Sequence, residues 1–203
     1  MASTTSRILQ RAGNHGLNLS SPLVDRLTAF YDLLYRWNRT INLTALRDSD
    51  EAIDRLILEP VAAAKFLPPG GRLIDLGSGG GSPAIPLALA LGPTEFVLVE
   101  SRARKAAFLR EALRVLAVVG DVRQCRFEEV VNPLAGRFTL VSVRALKLGS
   151  SELMTLKGLL AIGGKLALFT SDTWESFDLA SELVLEQTHP LPLRSKLQVL
   201  RAR

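Results

Sequence analysis

Cysteine and histidine are nearly missing from this chain: one Cys and two His among 203 residues. A lone Cys125 cannot close an internal disulfide, which points to a reducing, cytoplasmic setting. His15 and His189 lie far apart with no cysteine at ligand spacing, so no metal site is expected. Long apolar runs are also missing. The most apolar stretch, 159–169, is short and broken by Gly163, Gly164 and Lys165, which excludes a bilayer-spanning helix. The N-terminus opens on the polar run 2–6 without an apolar signal core, so secretion is not expected either. No repeat period or low-complexity tract is visible, and 47% hydrophobic with 22% charged residues describes an ordinary globular chain.

Acidic residues are outnumbered. The net charge of +5 and a pI near 9.8 favour a polyanionic partner. The basic residues are clustered: Arg36 and Arg39 flank Trp37, Arg102, Arg104 and Lys105 stand together, and Arg194, Lys196, Arg201 and Arg203 crowd the end. Each cluster also reads as a solvated helix face or strand end.

Residues 1–66 have a helical rhythm and form the first expected unit; 67–203 form the second, the two making one compact body. Ser20 or Ser21 followed by Pro22 starts a helix. Leu23, Leu27, Phe30, Leu34 and Trp37 then recur at three- and four-residue steps, one helical face. A second helix is predicted from near Ser49 to Phe66. The run 68–71 (PPGG) is a linker. Beyond it, strands are predicted at 72–76, 95–100, 122–127, 138–143 and 165–170. Helices are predicted at 86–91, 103–119 and 152–160, and segments 181–187 and 196–201 suit a closing antiparallel pair. Strands alternating with helices imply an α/β fold with a mostly parallel, doubly wound sheet. Such sheets bind ligands beyond the carboxyl ends of their strands, at the switch point.

A glycine-rich turn falls at that place: Leu73-Ile74-Asp75-Leu76-Gly77-Ser78-Gly79-Gly80-Gly81-Ser82-Pro83. Glycines allow a sharp turn and close approach of a ligand. Glu100 closes the next strand 23 residues after Gly77, where an acid can accept hydrogen bonds from both ribose hydroxyls of a nucleoside. A loop that merely turns tightly is the plain alternative for the glycines alone. A dinucleotide fingerprint would need glycine where Ser82 stands, and Asp75 would set a carboxylate beside phosphates. An adenosyl sulfonium with an amino-acid tail suits the loop better, since a nearby carboxylate favours its positive charges.

These residues carry a resemblance. From about Leu17 to Leu200 the chain resembles the bacterial small-subunit (16S) ribosomal RNA guanine-N7 methyltransferases, the family also called glucose-inhibited division protein B. The segment Arg36-Trp37-Asn38-Arg39-Thr40-Ile41-Asn42-Leu43-Thr44 resembles the family's most particular signature. The turn 74–87 resembles its cofactor loop. Leu98-Val99-Glu100-Ser101, with Lys105 and Phe108-Leu109-Arg110, is similar to its second strand and helix, and Val143-Arg144-Ala145 is similar to the step ending its fourth strand. The resemblance implies a Rossmann-like class I methyltransferase sheet with a helical N-terminal extension, S-adenosyl-L-methionine as cofactor, and ribosomal RNA or the small ribosomal subunit as partner of a monomer.

Carried over by position, it implies cofactor contacts at Gly77, Ser82, Glu100, Phe127, Glu128 and Arg144, beside the loop residues Asp75, Gly79 and Gly81. It implies that Asn42 and Arg144 stand where the base enters, as the catalytic pair. Plain alternatives accompany these roles: Asn42 as a turn residue, Glu128 as a surface acid, Phe127 as a core side chain, and Trp37 as a helix anchor. The chain departs from the family at Leu56 and Glu59, where histidine and aspartate are usual. It departs again at Thr170, where a lysine is usual, and at Ser195, where an arginine is usual. These departures fall mainly on the expected RNA side.

Guanine N7 presents a lone pair and no proton, so attack on a sulfonium methyl needs no general base, in keeping with the absence of a motif histidine. A methyltransferase of this fold acting on another substrate, or a catalytically weakened module that only binds cofactor and RNA, are the alternative readings.

Overall fold

The computed structural model describes residues 2–144, 149–171 and 182–202; Ala145, Ser181 and Arg203 lie outside them. Helix α1 (Thr4–Asn14) is capped by Ser3, whose hydroxyl accepts from Ser6 N–H. Helix α2 (Ser21–Asn38) starts after Ser20 with Pro22 in its first turn. Its buried side chains include Leu27, Phe30 and Leu34, with Trp37 half-buried edge-on to Phe108 at 5.8 Å. That contact suits a helix anchor.

The second expected N-terminal helix is interrupted. Ser49 caps α3 (Asp50–Ile53) through Ala52 N–H, a π-helical turn spans Asp54–Leu58, and α4 (Glu59–Ala63) with a 3-10 turn (Ala64–Phe66) completes the segment. Pro60 is the cause that the apolar rhythm conceals. Proline brings no N–H to a helix interior and crowds the preceding turn. Here the Glu59 N–H reaches back five residues to the Asp54 carbonyl, the bonding of a π turn.

Strand β1 (Arg72–Leu76) leads through the glycine turn to α5 (Ala84–Leu91). Next come β2 (Glu95–Val99), α6 (Ala103–Val115), β3 (Asp121–Arg123), α7 (Phe127–Val131), β4 (Phe138–Arg144), α8 (Ser150–Lys157), β5 (Leu160–Ser171), β6 (Leu183–Leu191) and β7 (Ser195–Ala202). The sheet order is β3-β2-β1-β4-β5-β7-β6, parallel from β3 to β5 and antiparallel through β7 and β6. The expected mostly parallel sheet with a closing antiparallel pair is therefore present.

Several boundaries moved. Strand β3 stops at Arg123 rather than Phe127, because 127–131 is a helix: the Arg126 N–H donates to the Glu129 carboxylate at 2.8 Å, and Glu128 and Glu129 sit in the first turn, where the helix dipole favours acids. Strand β5 begins earlier than expected, since residues 161–164 bulge between the pairs Phe138–Leu160 and Leu140–Lys165, with Gly163 in the left-handed region.

Both sheet faces are covered, so the strands read as continuous apolar runs instead of alternating ones. One face (Leu73, Phe96, Leu98, Leu140, Ala167, Val199) packs with α1 to α6 in a single core containing Phe30, Tyr31 and Phe108. The other (Ile74, Val97, Val141, Leu166, Leu200) packs with Val130, Leu153 and Leu156. The N-terminal helices thus bury the same face as α5 and α6. Among the described residues no helix is long and apolar enough to cross a membrane.

Candidate active site

The order in which strands are added reverses between the parallel neighbours β1 and β4, and the turn 77–83 leaves β1 at this switch point. The Gly77 and Ser78 N–H groups donate to the Val99 carbonyl at 2.9 and 3.0 Å, tying the turn to β2. The Gly79 N–H donates to one oxygen of Glu100, and the Arg102 N–H to the other, both at 2.8 Å. Glu100 is therefore aimed by the backbone on either side of it and is only 6% exposed. Gly81 adopts φ +82°, and a Cβ there would sit 2.8 Å from Ile85 and 3.2 Å from Phe30. The turn needs glycine at that point both for its conformation and for its contact with α2.

Two cavities meet at Gly77. One, of about 260 Å³, is lined by Gly77, Val99, Glu100, Cys125, Phe127 and Glu128 among others. The second, of about 300 Å³, is walled by Leu43, Thr44, Gly79, Ser82, Lys105 and Arg144 with parts of the turn. Gly77, Gly79, Ser82, Glu100, Phe127, Glu128 and Arg144 thus line one or other of two cavities that share Gly77. Asp75, Gly81 and Asn42 line neither cavity.

Asp75 lies 1% exposed beneath the turn, accepting from the Ser142 hydroxyl at 2.5 Å on the neighbouring strand. Burial pushes its carboxyl up to about 6 against the hydrogen bonds and the Arg144 charge that oppose the shift. Asn42 is exposed. The turn it belongs to is closed by Asn38, whose side-chain oxygen accepts from Leu43 N–H at 2.8 Å and Thr44 N–H at 3.0 Å. The asparagine that shapes this wall is thus Asn38, and Leu43 and Thr44 present it to the cavity.

Arg144 is interior. Its Nη1 donates to the Arg55 carbonyl at 2.9 Å and to Ser82 Oγ at 3.0 Å, and its Nη2 to Glu59 Oε2 at 3.0 Å. Its guanidinium lies 4.8 Å from the centre of the Phe169 ring. Burial pulls its pKa down to about 10, with Glu59 opposing the shift. Glu59, fully buried, also accepts from Arg55 and from the Ser195 hydroxyl, the latter at 2.6 Å. Two positions where the chain departs from the resembled pattern, Glu59 and Ser195, are therefore direct partners. Ser82 completes the cluster by donating to the Leu56 carbonyl at 2.8 Å.

The sequence reading missed Glu59 as part of the site, although a glutamate beside a helix-interior proline was a visible signal. Lys105, read from sequence as part of a basic cluster for phosphates, also lines the second cavity. Among the described residues no group of three or more His, Cys, Asp or Glu is placed to hold a metal ion.

Two solved structures show the same fold. A variant of MtNAS in complex with S-adenosylmethionine superposes with TM-score 0.57 at 16% identity, covering 98% of this chain and 72% of that one. A protein of Pyrococcus horikoshii OT3 gives TM-score 0.61 at 13% identity over 83% of this chain and 99% of that one. In sequence, the chain is 38% identical over 154 residues to a ribosomal RNA small subunit methyltransferase G of Stenotrophomonas maltophilia, covering 76% of this chain and 68% of the relative. A protein of the same name from Xanthomonas campestris is 42% identical over 151 residues, covering 73% of this chain and 64% of the relative, so this chain spans only about two thirds of the length of such relatives. Residues 24–182 match the family model described as GidB, rRNA small subunit methyltransferase G, and the chain belongs to that family.

Proposed function

We propose that this protein transfers the methyl group of S-adenosyl-L-methionine to N7 of a guanine in small-subunit ribosomal RNA. The observation that carries the reading is the pair of cavities joined at Gly77, with Glu100 fixed between Gly79 N–H and Arg102 N–H. A carboxylate held this way keeps lone pairs for two ribose hydroxyls. Phe127 and Val99 offer an apolar wall for an adenine, and the turn at Gly77–Gly79 leads into the second cavity, with room for the methionine part.

The bound cofactor would supply an electrophilic methyl on a sulfonium. The chain's own task is placement. Thr44, Leu43, Ser82 and Arg144 wall the cavity in which the guanine edge would meet that methyl, and the exposed Asn42 immediately precedes Leu43 in the chain. N7 brings its own lone pair, so no side chain has to take a proton. Holding the two reactants in line supplies up to about 7–11 kcal/mol of a bimolecular barrier. Lys105 at the wall and the exposed Arg36, Arg39, Arg102 and Arg104 give a positive approach for a phosphate backbone.

The test is transfer of labelled methyl from the cofactor to ribosomal RNA, free or in the small subunit, followed by mass mapping. Label on a guanine at N7 supports the reading. Label on protein or small molecules only, or donor binding without transfer, would overturn it.

A further inference from the structure

The π turn at Asp54–Leu58 turns two carbonyls away from ordinary helical bonding. Pro60 has no N–H to offer Leu56, and the Glu59 N–H is taken by Asp54. The Arg55 carbonyl accepts from Arg144 at 2.9 Å instead, and the Leu56 carbonyl from Ser82 at 2.8 Å. One helical irregularity thus reaches both the end of β4 and the cofactor turn, and π turns of this kind recur at functional sites.

Glu59 stands at the centre. Its carboxylate is fully buried and bonded to two guanidinium groups, Arg55 at 2.9 and 3.1 Å and Arg144 at 3.0 Å. It also receives the Ser195 hydroxyl at 2.6 Å, which anchors the hairpin tip Pro192–Arg194 against the π turn. In that tip Leu193 and Arg194 both have positive φ, 58° and 54°, a conformation that costs non-glycine residues energy and persists only when its surroundings hold it. Arg144 itself is gripped only at its Nη ends, because its buried Nε meets no acceptor among the described residues.

We propose that Glu59 is a positioning residue for methyl transfer: it holds the Arg144 guanidinium against Ser82 and, through Ser195, holds the hairpin tip against the π turn. This inference rests on the methyl-transfer reading above. Glu59 lines neither of these two cavities, so it acts through Arg144 and Ser195. Exchanging its carboxylate for an amide deprives the largely buried Arg144 and the partly exposed Arg55 of this counter-charge and leaves one hydrogen-bond partner mismatched, so Arg144 loses its fixed orientation.

The experiment compares the full chain with Glu59→Gln, Ser195→Ala and, as a control, Glu111→Gln, whose pairing with Arg114 is exposed. Two readouts are taken: donor Kd and kcat per folded protein on ribosomal RNA, and the side-chain resonances of arginine in 15N-labelled protein. Glu59→Gln is expected to keep donor Kd within about threefold while kcat falls about tenfold or more, since misplacement alone has that reach. The Arg144 resonances should shift and exchange faster in Glu59→Gln, and the control should match the parent. Ser195→Ala, which removes only a hydroxyl, should show a smaller change in the same direction, and it decides the matter if Glu59→Gln does not fold. Unchanged kcat, or unchanged Arg144 resonances, in a folded variant would overturn the proposal. A parent that transfers no methyl to RNA would defeat the functional reading instead, and the resonances would still decide whether Glu59 holds Arg144.

Discussion

Gly79 donates its backbone N–H to the carboxylate of Glu100 at 2.8 Å, so the turn after β1 and the end of β2 are one unit. Removing that carboxylate leaves two part-buried donors, Gly79 N–H and Arg102 N–H, without their charged acceptor. Glu100→Ala is expected to lower stability by roughly 1–3 kcal/mol and to weaken cofactor binding about tenfold or more, because the ribose partner is lost as well. Calorimetric titration with the methyl donor and urea unfolding check the two effects. Unaltered donor affinity in folded Glu100→Ala would remove Glu100 from the cofactor site.

Gly81 makes a different demand on the same turn. A methyl group there meets Ile85 at 2.8 Å and Phe30 at 3.2 Å, in a backbone with φ +82°. Gly81→Ala should cost roughly 2–4 kcal/mol, the sum of a left-handed alanine and an overfilled core, seen as a lower urea midpoint with unchanged slope. Gly79→Ala shares a positive φ of 54° but would make only ordinary contacts, with its nearest neighbours at 3.7 and 4.0 Å. Its stability loss should be smaller and its loss of donor affinity larger.

Approach of RNA should depend on the charges outside the cavity. Arg36 and Arg39 are exposed at the end of α2, and Lys105 lines the cavity wall. Replacing both arginines by Gln should lower the slope of log affinity against log salt by about 1.4, given roughly 0.7 per phosphate contact on a single strand. Donor binding should not change. A salt slope equal to the parent's, measured by fluorescence anisotropy on a ribosomal RNA fragment, would place the RNA elsewhere.

Much of this architecture was legible because strands buried on both faces and a glycine turn followed by an acid leave strong local signals. Residues 72–76 were readable for that reason, and the start of α2 after Ser20 was readable from Pro22 in its first turn. What was not readable depends on contacts distant in sequence. Ser195 and Glu59 are 136 residues apart, and nothing local announces that they touch. The π turn was hidden because the apolar rhythm of 49–66 is helical throughout, and only Pro60 breaks its hydrogen bonding. Phe127 looked like the end of a strand, yet the acids at Glu128 and Glu129 start a helix there. Asn42 and Asn38 stand four residues apart in one turn-rich segment, and only the fold shows which of them closes it.

Asp75 gives the chain a pH dependence whose sign is opposite to that of an ordinary ion-paired acid. Burial raises its carboxyl from 3.8 to about 6 in the folded protein. Between pH 4 and 6 the folded state therefore keeps a proton that the unfolded chain has already released. Stability from this group is fully present below about pH 4 and is lost as pH rises through about 6. The change amounts to about 3 kcal/mol, from roughly 1.4 kcal/mol for each pH unit. Asp75→Asn keeps an acceptor for the Ser142 hydroxyl, 2.5 Å away in the parent, and carries no titrating proton. The difference in unfolding free energy between parent and variant should consequently slope across pH 4–6 and be level above about 7. Urea unfolding at half-unit pH steps measures it directly. A parent and variant whose curves run parallel from pH 4 to 7 would mean that Asp75 enters the folded state already ionised.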